Sequence, residues 1–332
     1  MSQPPDELNI CSLLPSGTEI LFALGLGDQV VGVSDLCDYP PEARDKRVVS
    51  RSKVDASVLT SEQVENQMRR LLEAGEDLYE LDRDWLNTHP VDVVLTQDLC
   101  YFCEVDAVQV MDAVRGMPRE PLVEVLQPKT LAEILASIKQ VGDACGAAEP
   151  AARLVKDLED RIETVVRGTG SLAERPRVFS IEGVNPLVIG GHWIPDLLAM
   201  AGGNIDIYPP GCPAKRIDWK EVTDYAPEKL FIDLCSSDLA RNIQEVPWLA
   251  DQTGWGRLPA VEAGEVYLID HVYFSRPGPR VVRGLEILAQ LTYPGRFSGY
   301  IQPGEVLKLD LDLASGAGPG EIGRCFRPFP RP

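Results

Sequence analysis

Short apolar runs that fit β-strands alternate with amphipathic runs that fit helices, and the series occurs twice, on either side of one long helical stretch. Few folds accept that order. In the first series, residues 10–14, 30–33, 91–96 and 123–126 read as strands. Residues 60–74 read as a helix, with Val64, Met68, Leu71 and Leu72 on one face, and 81–88 as another. Ser16 and Glu19 stand at capping-box spacing ahead of Ile20, Leu21 and Leu24, and Gly25 and Gly27 stop that helix. In the second series, 177–181, 187–189, 230–234 and 266–269 read as strands, and 195–201, 218–225 and 281–291 as helices. Between the two, 130–167 is helical almost throughout. Pro150 fits the first turn of a helix carrying Leu154, Val155, Leu158, Ile162, Val165 and Val166, which at roughly 18–20 residues reaches about 30 Å.

This order predicts an α/β fold of two parallel-sheet lobes joined by a single long helix, with a ligand cleft between the lobes. Strands joined by helical crossovers run parallel, and open α/β sheets take ligands beyond the carboxyl ends of their strands. The expected domains are an N-terminal lobe over 8–128, a helical connection over 129–170, a C-terminal lobe over 171–293 and a Gly/Pro-rich tail over 294–332, packed on the surface or partly disordered.

The chain has 332 residues, enough for two ordinary cores without a staple. Its net charge of −19 repels phosphate backbones and excludes nucleic acid as a partner. No apolar run of about 20 residues exists to span a membrane. The N-terminus shows neither a basic region nor an apolar region of an export signal. The expectation is a cytoplasmic protein with reduced thiols, periplasmic or extracellular only if the start is trimmed. No Ser-His-Asp set, P-loop or paired-carboxylate motif is legible. Gly25, Gly27 and Gly32 end a helix rather than open one, which excludes a nucleotide loop. The chain reads as a binding protein, with no catalytic residue and no catalytic cofactor.

Two features carry possible chemistry. Cys100 and Cys103 follow directly on the strand ending at Thr96-Gln97, at a spacing that can share a metal or form a disulfide; half-buried thiols are the plainer reading. His192 sits on a glycine-led loop before Trp193, where a neutral imidazole can ligate cobalt or iron; a structural or exposed histidine is the commoner outcome.

Six segments together carry a resemblance. They are Ser12-Leu13-Leu14-Pro15-Ser16-Gly17-Thr18-Glu19 with Val31-Gly32-Val33-Ser34, then Asp38-Tyr39-Pro40, then Ala201-Gly202-Gly203-Asn204. After these come Asp218-Trp219-Lys220-Glu221-Val222 with 226–230, the run 258–267, and Ser275-Arg276-Pro277-Gly278-Pro279-Arg280. In this order, over about residues 9 to 293, the chain resembles the vitamin B12-binding and iron-chelate solute-binding proteins of ABC importers. The resemblance implies two rigid lobes and one flat macrocycle per cleft, cobalamin ahead of haem or a related tetrapyrrole, taken up, stored or delivered by a monomer. Aromatic side chains would cover the ring face and Arg or amide groups its rim.

Carried over by position, the expected ligand-contacting set is Pro15, Ser16, Tyr39, Gln97, Cys100, His192, Trp193, Tyr273, Phe274 and Arg276. Gln97 stands where the family often has an aromatic. Cys100 and Cys103 are the expected metal-binding candidates. The resemblance also implies docking on an ABC permease through one acid per lobe, Asp84 on the first and Glu221 on the second. The rival reading is a metal- or tetrapyrrole-handling enzyme on the same architecture, with Cys100, Cys103 and His192 as working ligands.

Overall fold

The computed structural model describes residues 8–56, 58–98, 107–115, 117 and 119–329. The first lobe contains β1 (Ile10–Ser12), α1 (Pro15–Ala23), β2 (Val30–Ser34), β3 (Val48–Ser52), α2 (Ser61–Glu73), β4 (Tyr79–Leu81), α3 (Arg83–Thr88), β5 (Val93–Gln97), α4 (Ala107–Val114) and β6 (Leu122–Leu126). Its six strands lie in the order β4-β3-β2-β1-β5-β6. All are parallel except β4, which pairs antiparallel with β3 at one edge. Parallel strands are covered on both faces and so read as continuous apolar runs, and Val93, Val94 and Leu95 of β5 are buried accordingly.

Two helices, α5 (Leu131–Ala144) and α6 (Ala148–Thr169), lead to the second lobe. This lobe holds β7 (Val178–Gly183), β8 (Val188–Ile189), α7 (Ile194–Met200), β9 (Lys215–Arg216), α8 (Trp219–Tyr225), β10 (Lys229–Ile232), α9 (Leu239–Ala250), α10 (Pro259–Glu262), β11 (Val266–Ile269) and α11 (Val281–Thr292). The chain closes with β12 (Val306–Leu309), α12 (Leu311–Ala314) and β13 (Phe326–Pro328). The sheet order is β13-β12-β11-β10-β7-β8-β9. Only β7, β10 and β11 run parallel; the strands flanking them pair antiparallel.

The two-lobed α/β architecture is as predicted, with local differences. The tail is not loose: β12 and β13 extend the second sheet, and Val306, Ile322 and Phe326 are buried. No helix was read over 239–250, where Pro247 is unfavourable inside a helix. The helix forms regardless. Asp238 caps it by accepting the Arg241 N–H at 2.8 Å. Pro247 cannot donate to the Ile243 carbonyl, and the tail packs against that bare carbonyl at Gly323, where a Cβ would stand 2.4 Å from the oxygen.

One apolar core joins the lobes. Leu14, Ile20 and Leu95 of the first lobe belong to the same buried cluster as Trp193, Phe231 and Leu285 of the second, through Ile134, Ile138, Val155 and Leu158 of α5 and α6. Burying apolar surface continuously across the junction fixes the lobes against each other. Among the described residues no helix is long and apolar enough to cross a membrane.

Candidate functional site

Loops that follow parallel strands meet between the lobes. After β2 the chain runs through Asp35 and Leu36 to Asp38 and Tyr39. After β11 it runs through His271 to Arg276 and to Arg280, which caps α11. The two loops interlock with α1. Arg276 Nη1 donates to Asp38 and lies 3.7 Å from Glu19 Oε1, and its Nη2 donates to the Leu36 carbonyl at 3.3 Å. Arg280 forks onto Glu19, with Nε donating to Oε2 at 2.9 Å and Nη2 to Oε1.

Glu19 is 3% exposed and Arg276 9%, so this network is desolvated. Buried charges persist only when paired and hydrogen-bonded. Burial lifts the Glu19 carboxyl above its ordinary value, against the pull of Arg280 and Arg276. Burial acts the same way on Asp38, but the Arg276 hydrogen bond and charge outweigh it and hold that carboxyl low.

One expectation is corrected here. Ser16 and Glu19 form no capping box: α1 starts after Leu14 without a side-chain cap, and Glu19 turns inward to the arginines. The Arg276 guanidinium is engaged across the lobe junction. Glu19, Asp38 and Arg280 escaped the predicted set. The signal was present: a lone acid inside the apolar stretch 13–26 must find a cation elsewhere in the chain.

His271 faces the same network. Burial first, then the Arg276 charge, lowers its imidazole to about 3, so it is neutral at physiological pH, and its buried Nδ1 has no hydrogen-bond partner among the described residues. Tyr39 is 43% exposed, with the Arg280 guanidinium over its ring.

The second-lobe loop at Gly190-Gly191-His192-Trp193 is shaped by close packing. A Cβ on Gly191 would stand 2.1 Å from the Ala214 nitrogen. His192 takes φ 54°, a strained conformation for a residue with a side chain. Its N–H donates to the Cys212 carbonyl at 2.6 Å, and its carbonyl accepts from Gly211. The ring is partly buried, and burial, then Lys129, lowers its pKa.

The remaining predicted residues separate. Trp193 and Phe274 are core residues, not open ring faces: the indole Nε1 donates to the Phe274 carbonyl at 2.8 Å, and both side chains are buried. Tyr273 gives its hydroxyl to Glu305 of the tail at 2.8 Å. Pro15 and Ser16 are covered at the lobe junction, where Gly278 approaches Ser16. Gln97 is buried at the end of β5. Cys100 and Cys103 lie outside the described residues. Asp84 is exposed in the first turn of α3. Glu221 is half-exposed, accepts the Asp218 N–H at 3.1 Å and sits 3.6 Å from Lys215. Among the described residues no three His, Cys, Asp or Glu side chains cluster to hold a metal ion. A cavity of about 540 Å³ lined by Arg175, Asn204 and Asp206 opens at the amino end of β7, away from this junction.

Residues 118–273 match the family described as periplasmic binding protein. An ABC transporter substrate-binding lipoprotein of Bacillus subtilis, itself uncharacterised, is 27% identical over 87% of this chain and 81% of its own length. The family match spans a little under half of the chain, and the similarity to the relatives extends over most of it. A vitamin B12-binding protein of Pectobacterium carotovorum is 25% identical over 85% of this chain and 88% of that protein. Among solved structures, a periplasmic heme-binding protein from Roseiflexus superposes with a TM-score of 0.63 at 20% identity, over 88% of this chain and all of that one. That likeness supports the fold.

The matched family and the Bacillus subtilis relative are substrate-binding proteins rather than enzymes, which favours the binding reading over the rival enzymatic one. The comparison also corrects the location: the cytoplasmic expectation rested on the N-terminal residues alone, whereas the Bacillus subtilis relative is a lipoprotein, which points outside the cytoplasm.

Proposed function

We propose that the face between the lobes binds one flat metal chelate, cobalamin ahead of haem, and hands it to an ABC permease. The observation that carries this reading is the meeting of the two sets of strand-end loops, with Tyr39 presenting an open aromatic face at that junction. The vitamin B12-binding relative, which matches over most of the chain, supports the choice of ligand. Tyr39 would stack on the ring face, which contributes about 0.5–1.5 kcal/mol beyond burial. His192, kept neutral by burial, would supply an imidazole nitrogen to the metal or rim. Arg276 would reach the ligand only through donors its partners leave open, and Asp84 and Glu221 would face the permease.

The test is visible spectroscopy and calorimetry of the full chain against hydroxocobalamin and haemin, with Tyr39→Ala and His192→Ala beside it. We expect saturation at one ligand per chain and about a tenfold loss with Tyr39→Ala. His192→Ala should shift the bound ligand's visible bands. Equal affinity in wild type and both variants would place the ligand elsewhere.

A further inference from the structure

Strand β3 runs parallel to β2, so its carboxyl end points to the same edge from which Asp38 and Tyr39 emerge. Strand β4 returns antiparallel, with Tyr79 opposite Ser52. The chain between them therefore leaves and re-enters the first sheet on the cleft side. Within it, α2 packs Met68, Leu71 and Leu72 against the first lobe.

Its leading end crosses to the second lobe. The Ala56 carbonyl accepts from Arg241 Nη1, the Ser61 N–H donates to Glu245 Oε1 at 2.7 Å, and Glu65 pairs with Arg216. Arg241 and Glu245 stand on α9, which follows β10 and so begins at the cleft side of the second sheet. This is a second polar bridge between the lobes, separate from the Arg276–Asp38 and Arg280–Glu19 pairs.

Three features make the bridge releasable. No residue of α2 is fully buried, so little apolar area holds it down. Two of its three contacts use main-chain atoms of the crossing segment, so they release without breaking any side-chain packing on that side. The buried Nε of Arg241 has no hydrogen bond among the described residues and lies 3.7 Å from Glu245, which leaves that nitrogen poorly satisfied in the bridged arrangement.

We propose that α2, together with Ala56 ahead of it, forms a strap across the mouth of the cleft, fastened by Arg241, Glu245 and Arg216, which must release for a ligand to enter. The proposal rests on the cleft being the binding face. Its test is chosen to work without a ligand.

Ser61 is the first residue of α2, a position where proline is tolerated, and Thr60 before it is already extended at φ −70°, ψ 162°. Ser61→Pro thus removes the donor to Glu245 while keeping the helix start. Arg241→Ala removes the second fastening from the other lobe. Cys235 lies partly buried on the turn leading into α9 and reports access to the mouth.

The experiment measures alkylation of Cys235 by N-ethylmaleimide, read by peptide mass spectrometry, in the full-length wild type and in the Ser61→Pro, Arg241→Ala double variant. Each single variant and an unfolding curve serve as controls for folding. We expect labelling about tenfold faster in the double variant, measured under conditions where its unfolding curve shows it fully folded. Where hydroxocobalamin binds the wild type, its association rate should rise by a similar factor. Unchanged labelling in a folded double variant would overturn the strap. Absence of hydroxocobalamin and haemin binding, with labelling accelerated, would leave the strap standing and remove the ligand assignment instead.

Discussion

The guanidinium of Arg280 lies 4.0 Å from the centroid of the Tyr39 ring while it forks onto Glu19. An arginine of the second lobe thus covers an aromatic face of the first and closes an ion pair with the same group. A cation over an aromatic face contributes about 0.5–1 kcal/mol where solvent reaches it. The Glu19 pair is far more buried, so breaking it by removing one partner is costlier than losing the ring contact.

Removing Glu19 strands two arginines at the lobe junction, so Glu19→Ala should destabilise the fold by about 3–5 kcal/mol, the cost of an unpaired buried charge. Arg276→Ala should cost about 1–3 kcal/mol, because Asp38 can be partly rehydrated: its side chain is 38% exposed, against 2% for Glu19. Both exceed the roughly 0.5 kcal/mol of a surface arginine. Urea unfolding of each single variant checks this. Equal, small losses would show that the pairs contribute little.

Asp233 sits at the carboxyl end of β10, 2% exposed, accepting a hydrogen bond from Ser180 at 2.7 Å. Burial raises it from 3.8 to about 7, only partly opposed by Ser180. Between those values the folded chain holds a proton that the unfolded chain has lost. Its contribution is therefore fully present below about pH 4 and is lost as the pH rises to about 7. Asp233→Asn keeps an acceptor for Ser180 and should remove that slope, a difference of up to roughly 4 kcal/mol across the window. Parallel pH profiles of wild type and variant would contradict it.

His271 works in the opposite direction. Its folded value of about 3 lies below the ordinary 6.5, chiefly through burial, so its contribution is present above pH 6.5 and is lost as the pH falls toward 3. His271→Gln should flatten the acid side of the stability profile by at most about 1.4 kcal/mol per pH unit. Chemical denaturation between pH 4 and 7 measures this, and an unchanged acid limb would show that His271 titrates as in water.

Periodicity made much of the fold legible. The long α6 follows from the spacing of Leu154, Val155, Leu158 and Ile162, and β5 from the apolar run Val93-Val94-Leu95. What escaped depends on partners distant in sequence. Glu19 and Arg280 are 261 residues apart, so the spacing to Ser16 offered a nearer but wrong partner. Helix α9, which contains Pro247, was not read, and the tail residue Gly323 that packs on the Ile243 carbonyl lies 80 positions away in sequence. Trp193 and Phe274 were expected as ring-covering aromatics, yet an indole N–H aimed at a loop carbonyl locks both into the core. Sequence gives the type of an aromatic residue, not the side of a loop on which it packs. Location, too, was read from too little: the lipoprotein relative outweighs the look of the first residues.

The central claim is that one macrocycle sits between the lobes against Tyr39. Native mass spectrometry of the purified chain, mixed with hydroxocobalamin and separately with haemin, tests it most directly when the wild type is run beside Tyr39→Ala. The account predicts a single added mass per chain, retained more strongly for hydroxocobalamin and depleted about tenfold in the variant. No retained mass for either compound on folded protein would contradict it.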